Sequence, residues 1–215
     1  MPEGVQRRVT RRVAQLLSGL TLCAVGITAT LQAELGVSPW DVLHGGLADR
    51  LDLPFGYVVQ GVGVVVLAGG MLLGGVRPGW GTIANIALIG TVENILLDSA
   101  FLDGLADDAW ALRVVVLVVG VATIGLGCAL YIGAHLGAGP RDSLMVGLHQ
   151  RARIPVGAAR AVVEAVALVT GMVLGGPVGA GTVVYVVGIG PAVQASFRLL
   201  GMTPARLPET TTEAI

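Results

Sequence analysis

Two short segments carry residues whose types and spacing suit a ligand site: Ser38-Pro39-Trp40-Asp41 and Gly139-Pro140-Arg141-Asp142. The first opens as a helix does, with serine at the N-cap, proline at the first position and an acid at the third. Gly139, Pro140 and Asp142 take the same places in the second. Asp41 and Asp142 then have three compatible roles: capping their own helices, ligating a solute, or pairing with an arginine across the molecule. Glu93 and Asn85 lie in a long apolar stretch. An acid at membrane depth costs roughly 2.5–3.5 kcal/mol on insertion scales, so Glu93 faces either a cavity or an interhelical hydrogen-bond partner. The candidate substrate-binding set is therefore Ser38, Pro39, Asp41, Asn85, Glu93, Pro140, Arg141 and Asp142, and a proton-coupled mechanism would titrate Glu93.

The remaining polar residues read as structural. Arg160 and Glu164, four apart, can pair on one helix face. Gln60, Thr82 and Thr182 are expected as glue between helices, and Gly70-x-x-x-Gly74 and Gly171-x-x-x-Gly175 as close-packing faces. Cys23 and Cys128 sit in apolar segments without disulfide or metal spacing. His44, His135 and His149 stand singly, near the membrane surfaces. No nucleophile constellation, phosphate loop or metal motif appears, so no enzyme, catalytic residue, cofactor or metal is expected.

The elements that position these residues follow from composition. Of 215 residues, 54% are hydrophobic and 13% charged, with a mean hydropathy of +0.81. Soluble domains are nearer 25% charged, so this chain is all-α and belongs in lipid. All 13 basic residues are arginine and the net charge is −1, which leaves no basic field for nucleic acid. Six stretches approach the ~20 residues a bilayer requires: 13–34, 55–75, 80–97, 112–134, 156–176 and 181–200. Between the first two spans, and again between the fourth and fifth, a segment of helical spacing ends before Pro54 or Pro155. These are half-length helices of about ten residues, interfacial or re-entrant, and matching interrupted helices are the best pointer to a transporter's site.

The two halves are copies. Leu35-Gly36-Val37-Ser38-Pro39-Trp40-Asp41 returns 101 residues later as Leu136-Gly137-Ala138-Gly139-Pro140-Arg141-Asp142. The same shift relates Gly19 to Gly120, Gly26 to Gly127, Gly56 to Gly157, Gly70 to Gly171 and Gly74 to Gly175. After a one-residue deletion, Gly81-Thr82 aligns with Gly181-Thr182 and Gly90 with Gly190. Three spans per half predict opposite orientations, and the charges agree. Arg7, Arg8, Arg11 and Arg12 precede the first span, whereas Asp98, Asp103, Asp107 and Asp108 precede the fourth. Arg50 stands against Glu34, Asp41, Asp49 and Asp52 after the first span; Arg141, Arg151 and Arg153 follow the fourth. Arg77, Arg198 and Arg206 complete the pattern. The expected organisation is a cytoplasmic basic tail (1–11), a three-helix repeat (12–98), an acidic extracytoplasmic linker (99–112), a second repeat (113–200) and a cytoplasmic tail (201–215), all in a bacterial cytoplasmic membrane.

Gly36, Pro39, Asp41, Gly137, Pro140, Asp142 and the pairs Gly46-Leu47 and Gly147-Leu148 resemble the signature of the YczE/YitT group of bacterial integral membrane proteins. At the level of fold class the chain is also similar to the six-helix S components of energy-coupling-factor vitamin importers. The resemblance implies a polytopic membrane protein and carries no substrate or catalytic residue with it. The expected function is binding or translocation of an unknown small solute between the repeats. The alternative is a non-transporting partner of another membrane protein, or a homo-oligomer, acting through glycine-rich faces. A cavity lined by the acids is what separates the two.

Overall fold

The computed structural model describes residues 3–74, 78–137 and 139–202. Arg77, Arg206 and Ala138, used above to argue topology and repeat, lie outside the described residues. Among the described residues eight α-helices follow one another: α1 Glu3–Gln32, α2 Pro39–Leu51, α3 Phe55–Leu72, α4 Trp80–Asp98, α5 Trp110–Gly133, α6 Pro140–Ala152, α7 Val156–Leu174 and α8 Ala180–Leu199. Among the described residues there is no strand. Six helices, α1, α3, α4, α5, α7 and α8, are long and apolar enough to cross a membrane. The half-length helices α2 and α6 have 13 residues each.

The spans fall close to their expected limits, with one difference. α1 begins well before residue 13 and carries Arg7, Arg8, Arg11 and Arg12 as exposed helix. No proline or glycine interrupts the chain between Val5 and Leu17, and arginine and glutamine are good helix formers. The basic segment expected as a tail is thus an extension of the first span.

α1 and α5 form the spine. A Cβ on Gly19 would sit 2.8 Å from the Gly127 carbonyl oxygen, and one on Gly26 2.7 Å from that of Gly120. The later glycine of one helix meets the earlier glycine of the other, so α1 and α5 run antiparallel. Around this spine most packing pairs come in twos: α4 on α1 and α8 on α5, α7 on α2 and α3 on α6, α2 beside α3 and α6 beside α7. The largest asymmetry lies in one pair. α3 packs closely on α4, whereas no comparable packing joins α7 to α8.

The half-length helices dock on glycines of the opposite half. A Cβ on Gly70 of α3 would meet Leu144 and Ser143 of α6, and one on Gly171 of α7 would meet Val42 and Leu43 of α2. Gly74 and Gly175 take a different role from the close packing expected of them. They lie just beyond their helices at φ +85° and +91°, the left-handed conformation that ends a helix and favours glycine.

The loops before α2 and α6 match in detail. Gly36 and Gly137 are left-handed (φ +104° and +142°), as are Glu34 and His135 before them and Asp52 and Arg153 after the helices. Each loop is tied to the opposite half, the Gly181 N–H donating to the Leu35 carbonyl (2.6 Å) and the Gly81 N–H to that of Leu136 (2.8 Å). The linker between the halves is also ordered. Its short 3-10 turn, Leu105–Asp107, buries Leu105 against Ala33 and Leu117. The Arg113 guanidinium donates to the carbonyls of Ala33, Glu34 and Ala106, closing the end of α1.

Candidate functional site

A cavity of about 680 Å³ lies between the halves, within the range of small-molecule sites. Ser38, Pro39, Asp41, Asn85, Glu93, Pro140, Arg141 and Asp142 all line it. The eight candidates come from α2, α4 and α6 and the turn before α2, so one chamber gathers residues 104 positions apart, from Ser38 to Asp142.

The local sequence explains how each is held. Ser38 caps α2, its oxygen accepting from the Asp41 N–H (3.1 Å) and its hydroxyl donating to the Asp41 carboxylate. In α6 glycine replaces serine, and the Asp142 carboxylate itself accepts the Gly139 N–H (3.1 Å). Proline at the first position of both helices supplies a preset φ and removes a donor that would have no partner there. The N-terminal turns of the two helices then meet across the halves. The Arg141 guanidinium lies 4.7 Å from the ring centroid of Trp40, within cation–π range.

Asp41 and His44 form a buried pair, Nδ1 to Oδ1 3.2 Å, each 2% exposed. Burial is the largest influence on His44 and lowers its pKa, so the ring is neutral. Burial alone would raise Asp41, but the His44 hydrogen bond, nearby Arg141 and the Ser38 hydroxyl outweigh it and hold the carboxyl below its usual value. His44 therefore departs from the expectation of a lone surface histidine. One helical turn from Asp41, it faces inward, with its ring edge on Phe55 (5.9 Å). The spacing of three was visible in the sequence; the inward direction of the face was not.

Glu93 stands apart. It is 0% exposed in the cavity wall, and neither carboxylate oxygen has a hydrogen-bond partner. Arg160 and Glu164 form the expected pair (3.0 Å) and also border the cavity, as do Tyr131 and Tyr185. Nothing in their spacing marked these two tyrosines, because they are brought in by the crossing of α5 and α8. Gln60 bridges α3 to α4 as expected, donating to the Ala87 carbonyl and to Thr91. Thr82 and Thr182 cap α4 and α8, accepting from Gly79 and Gly179. Among the described residues no three His, Cys, Asp or Glu are grouped as a metal site would require.

Known proteins resemble this chain in sequence. An uncharacterized protein of Haemophilus influenzae is 33% identical over 202 residues, covering 92% of this chain and 87% of its own. The uncharacterized membrane protein YczE of Bacillus subtilis is 32% identical over 167 residues, or 77% of this chain and 76% of its own. Uncharacterized protein YyaS of the same organism is 26% identical over 181 residues, covering 78% of this chain and 83% of its own. No solved structure matches. The family of unknown function DUF6198 matches residues 10–198, nearly the whole helical body, and the chain belongs to that family.

Proposed function

We propose that the protein binds and translocates a small solute at the interface of two inverted repeats in the bacterial cytoplasmic membrane. The cavity carries this reading: it sits where the half-length helices meet and takes its polar lining from both halves. A purely structural partner protein has no need of a chamber that encloses an unpaired acid, because desolvating such a group is costly. The antiparallel α1 and α5, and the paired docking of each half-helix on the opposite half, support the inverted arrangement. The arginine distribution supports placing both termini in the cytoplasm.

The test is thermal stability of the purified chain in nanodiscs against vitamins, amino acids, amines, lipids and drugs. A ligand at 100 times its dissociation constant stabilises by about 2.7 kcal/mol. The expected result is a stabilising solute whose effect is lost in Asp41→Asn, Asp142→Asn or Glu93→Gln. Stabilisation that survives all three substitutions would place the solute elsewhere, and silence across the panel would favour the partner role.

A further inference from the structure

We propose that the solute is an amphipathic organic monocation, which reaches the cavity from the bilayer between α7 and α8 and is held there by the charge of Glu93. This rests on the solute-site reading and names its substrate class.

Charge is the first argument. Asp41, Glu93, Asp142 and Glu164 border the cavity, against Arg141 and Arg160. Most of these groups are already engaged. Asp41 is held by Ser38 and His44, Asp142 by the Gly139 N–H, Glu164 by Arg160, and Arg141 lies over Trp40. Glu93 alone among these acids has no partner. Each half-helix N-terminus adds about half a positive charge, and His44 is neutral. A buried carboxyl without a partner stays neutral, and a cation beside Glu93 favours its ionised form, which leaves the lining about one charge negative and matched to a single positive charge. In an enclosed wall that charge is poorly screened, so it selects strongly between ligands of opposite sign.

The rest of the lining sets the remainder of the ligand. Ile27, Val62, Ile86, Ile89, Ile124 and Ile132 supply apolar wall, which suits a hydrocarbon or aromatic body. The route follows from the missing packing pair. α7 and α8 are both spans, yet they lack the close packing that joins α3 to α4, and both contribute residues to the cavity. Arg160 and Glu164 border the cavity from α7 and are still 59% and 34% exposed. A Cβ on Gly190, which lines the cavity from α8, would meet nothing within 4 Å. An opening between two spans faces lipid, where amphipathic cations concentrate and hydrophilic solutes do not.

The experiment uses the full chain in nanodiscs with tetraphenylphosphonium and tetraphenylborate, ions of one shape and opposite charge. Saturable binding of the cation and none of the anion is expected. Glu93→Gln, close to isosteric, should weaken cation binding at least about tenfold. Gly190→Leu fills open space, so it should leave the melting temperature unchanged while blocking the cation. Equal cation affinity in folded Glu93→Gln, or equally tight binding of the anion to the unaltered protein, overturns the proposal. So does undiminished binding in Gly190→Leu, which remains decisive if Glu93→Gln does not fold. Should another solute stabilise the protein while the cation does not bind, the cation class falls and the solute site stands. If both ions and the whole panel are silent, both readings fall.

Discussion

In the first half, α3 and α4 touch backbone to backbone, and a Cβ on Gly56 would run into the carbonyl of Gly90. In the second half the corresponding Gly157 and Gly190 face open space. The glycines that permit close approach are present in both places, so they cannot be what decides it. The difference lies in the polar residues beside them. Asn94 accepts the Gly56 N–H (2.8 Å), and Gln60 reaches across to Ala87 and Thr91. At the matching positions the second half has Gln194, Ala161 and Pro191. Small residues allow two membrane helices to meet, and side-chain hydrogen bonds hold them there. Without that clamp α7 and α8 lack the close packing of α3 on α4, which is what the proposed lateral route to the cavity requires.

The largest effect expected from this comparison comes from filling the glycines. Gly56→Leu would force α3 off α4, an overpacking cost of about 1–3 kcal/mol or more. Gly157→Leu, on an exposed position with nothing near its Cβ, should change stability by no more than about 0.5 kcal/mol. Melting curves in nanodiscs read both. Equal losses at the two sites would mean that α7 and α8 spend most of their time packed, and the contrast would collapse.

Next in size is a control on the part of the molecule where the halves agree. Gly36→Ala and Gly137→Ala place a Cβ on a left-handed residue that lies against the start of the opposite third span. Each should cost about 1–3 kcal/mol, by similar amounts. A strongly unequal pair would show that the two signature loops are alike in shape only, and that the asymmetry extends beyond α7 and α8.

How much of this was legible depended on how local the cause was. The six spans, the proline-led half-helices and the Ser38 cap follow from composition and nearest neighbours, and the sequence places each within a few residues. The eight cavity residues were accessible because a repeated Pro-x-Asp and an acid in an apolar run are unusual wherever they occur. His44, Tyr131 and Tyr185 were not, because which face of a helix turns inward depends on crossings with helices far away in the chain. The gap between α7 and α8 was hidden for a related reason. The conserved spacing of the glycines draws the eye to what the halves share, while the clamp resides in Gln60 and Asn94, ordinary polar residues whose loss in the second half looks like drift.

That clamp supplies the smallest and most specific expectation. Interhelical hydrogen bonds in membranes average about 0.6 kcal/mol and reach about 1.7. Asn94→Ala removes one bond between α3 and α4 and should cost within that range. Gln194→Ala removes a cavity-lining side chain that clamps nothing, so its stability should be unchanged while solute binding shifts. The reverse change is more telling. Ala161→Gln together with Gln194→Asn carries two of the three clamp residues into the second half, where Gly157 and Gly190 already allow the approach. If the gap is open only because the clamp is missing, this double variant should gain up to about 1 kcal/mol of stability and exchange solute more slowly. A variant with native stability and native exchange would show that α7 and α8 are held apart by something other than the lack of polar contacts. The kink that Pro191 permits within α8 would then be the element to remove, by Pro191→Thr, the residue the first half carries at that position.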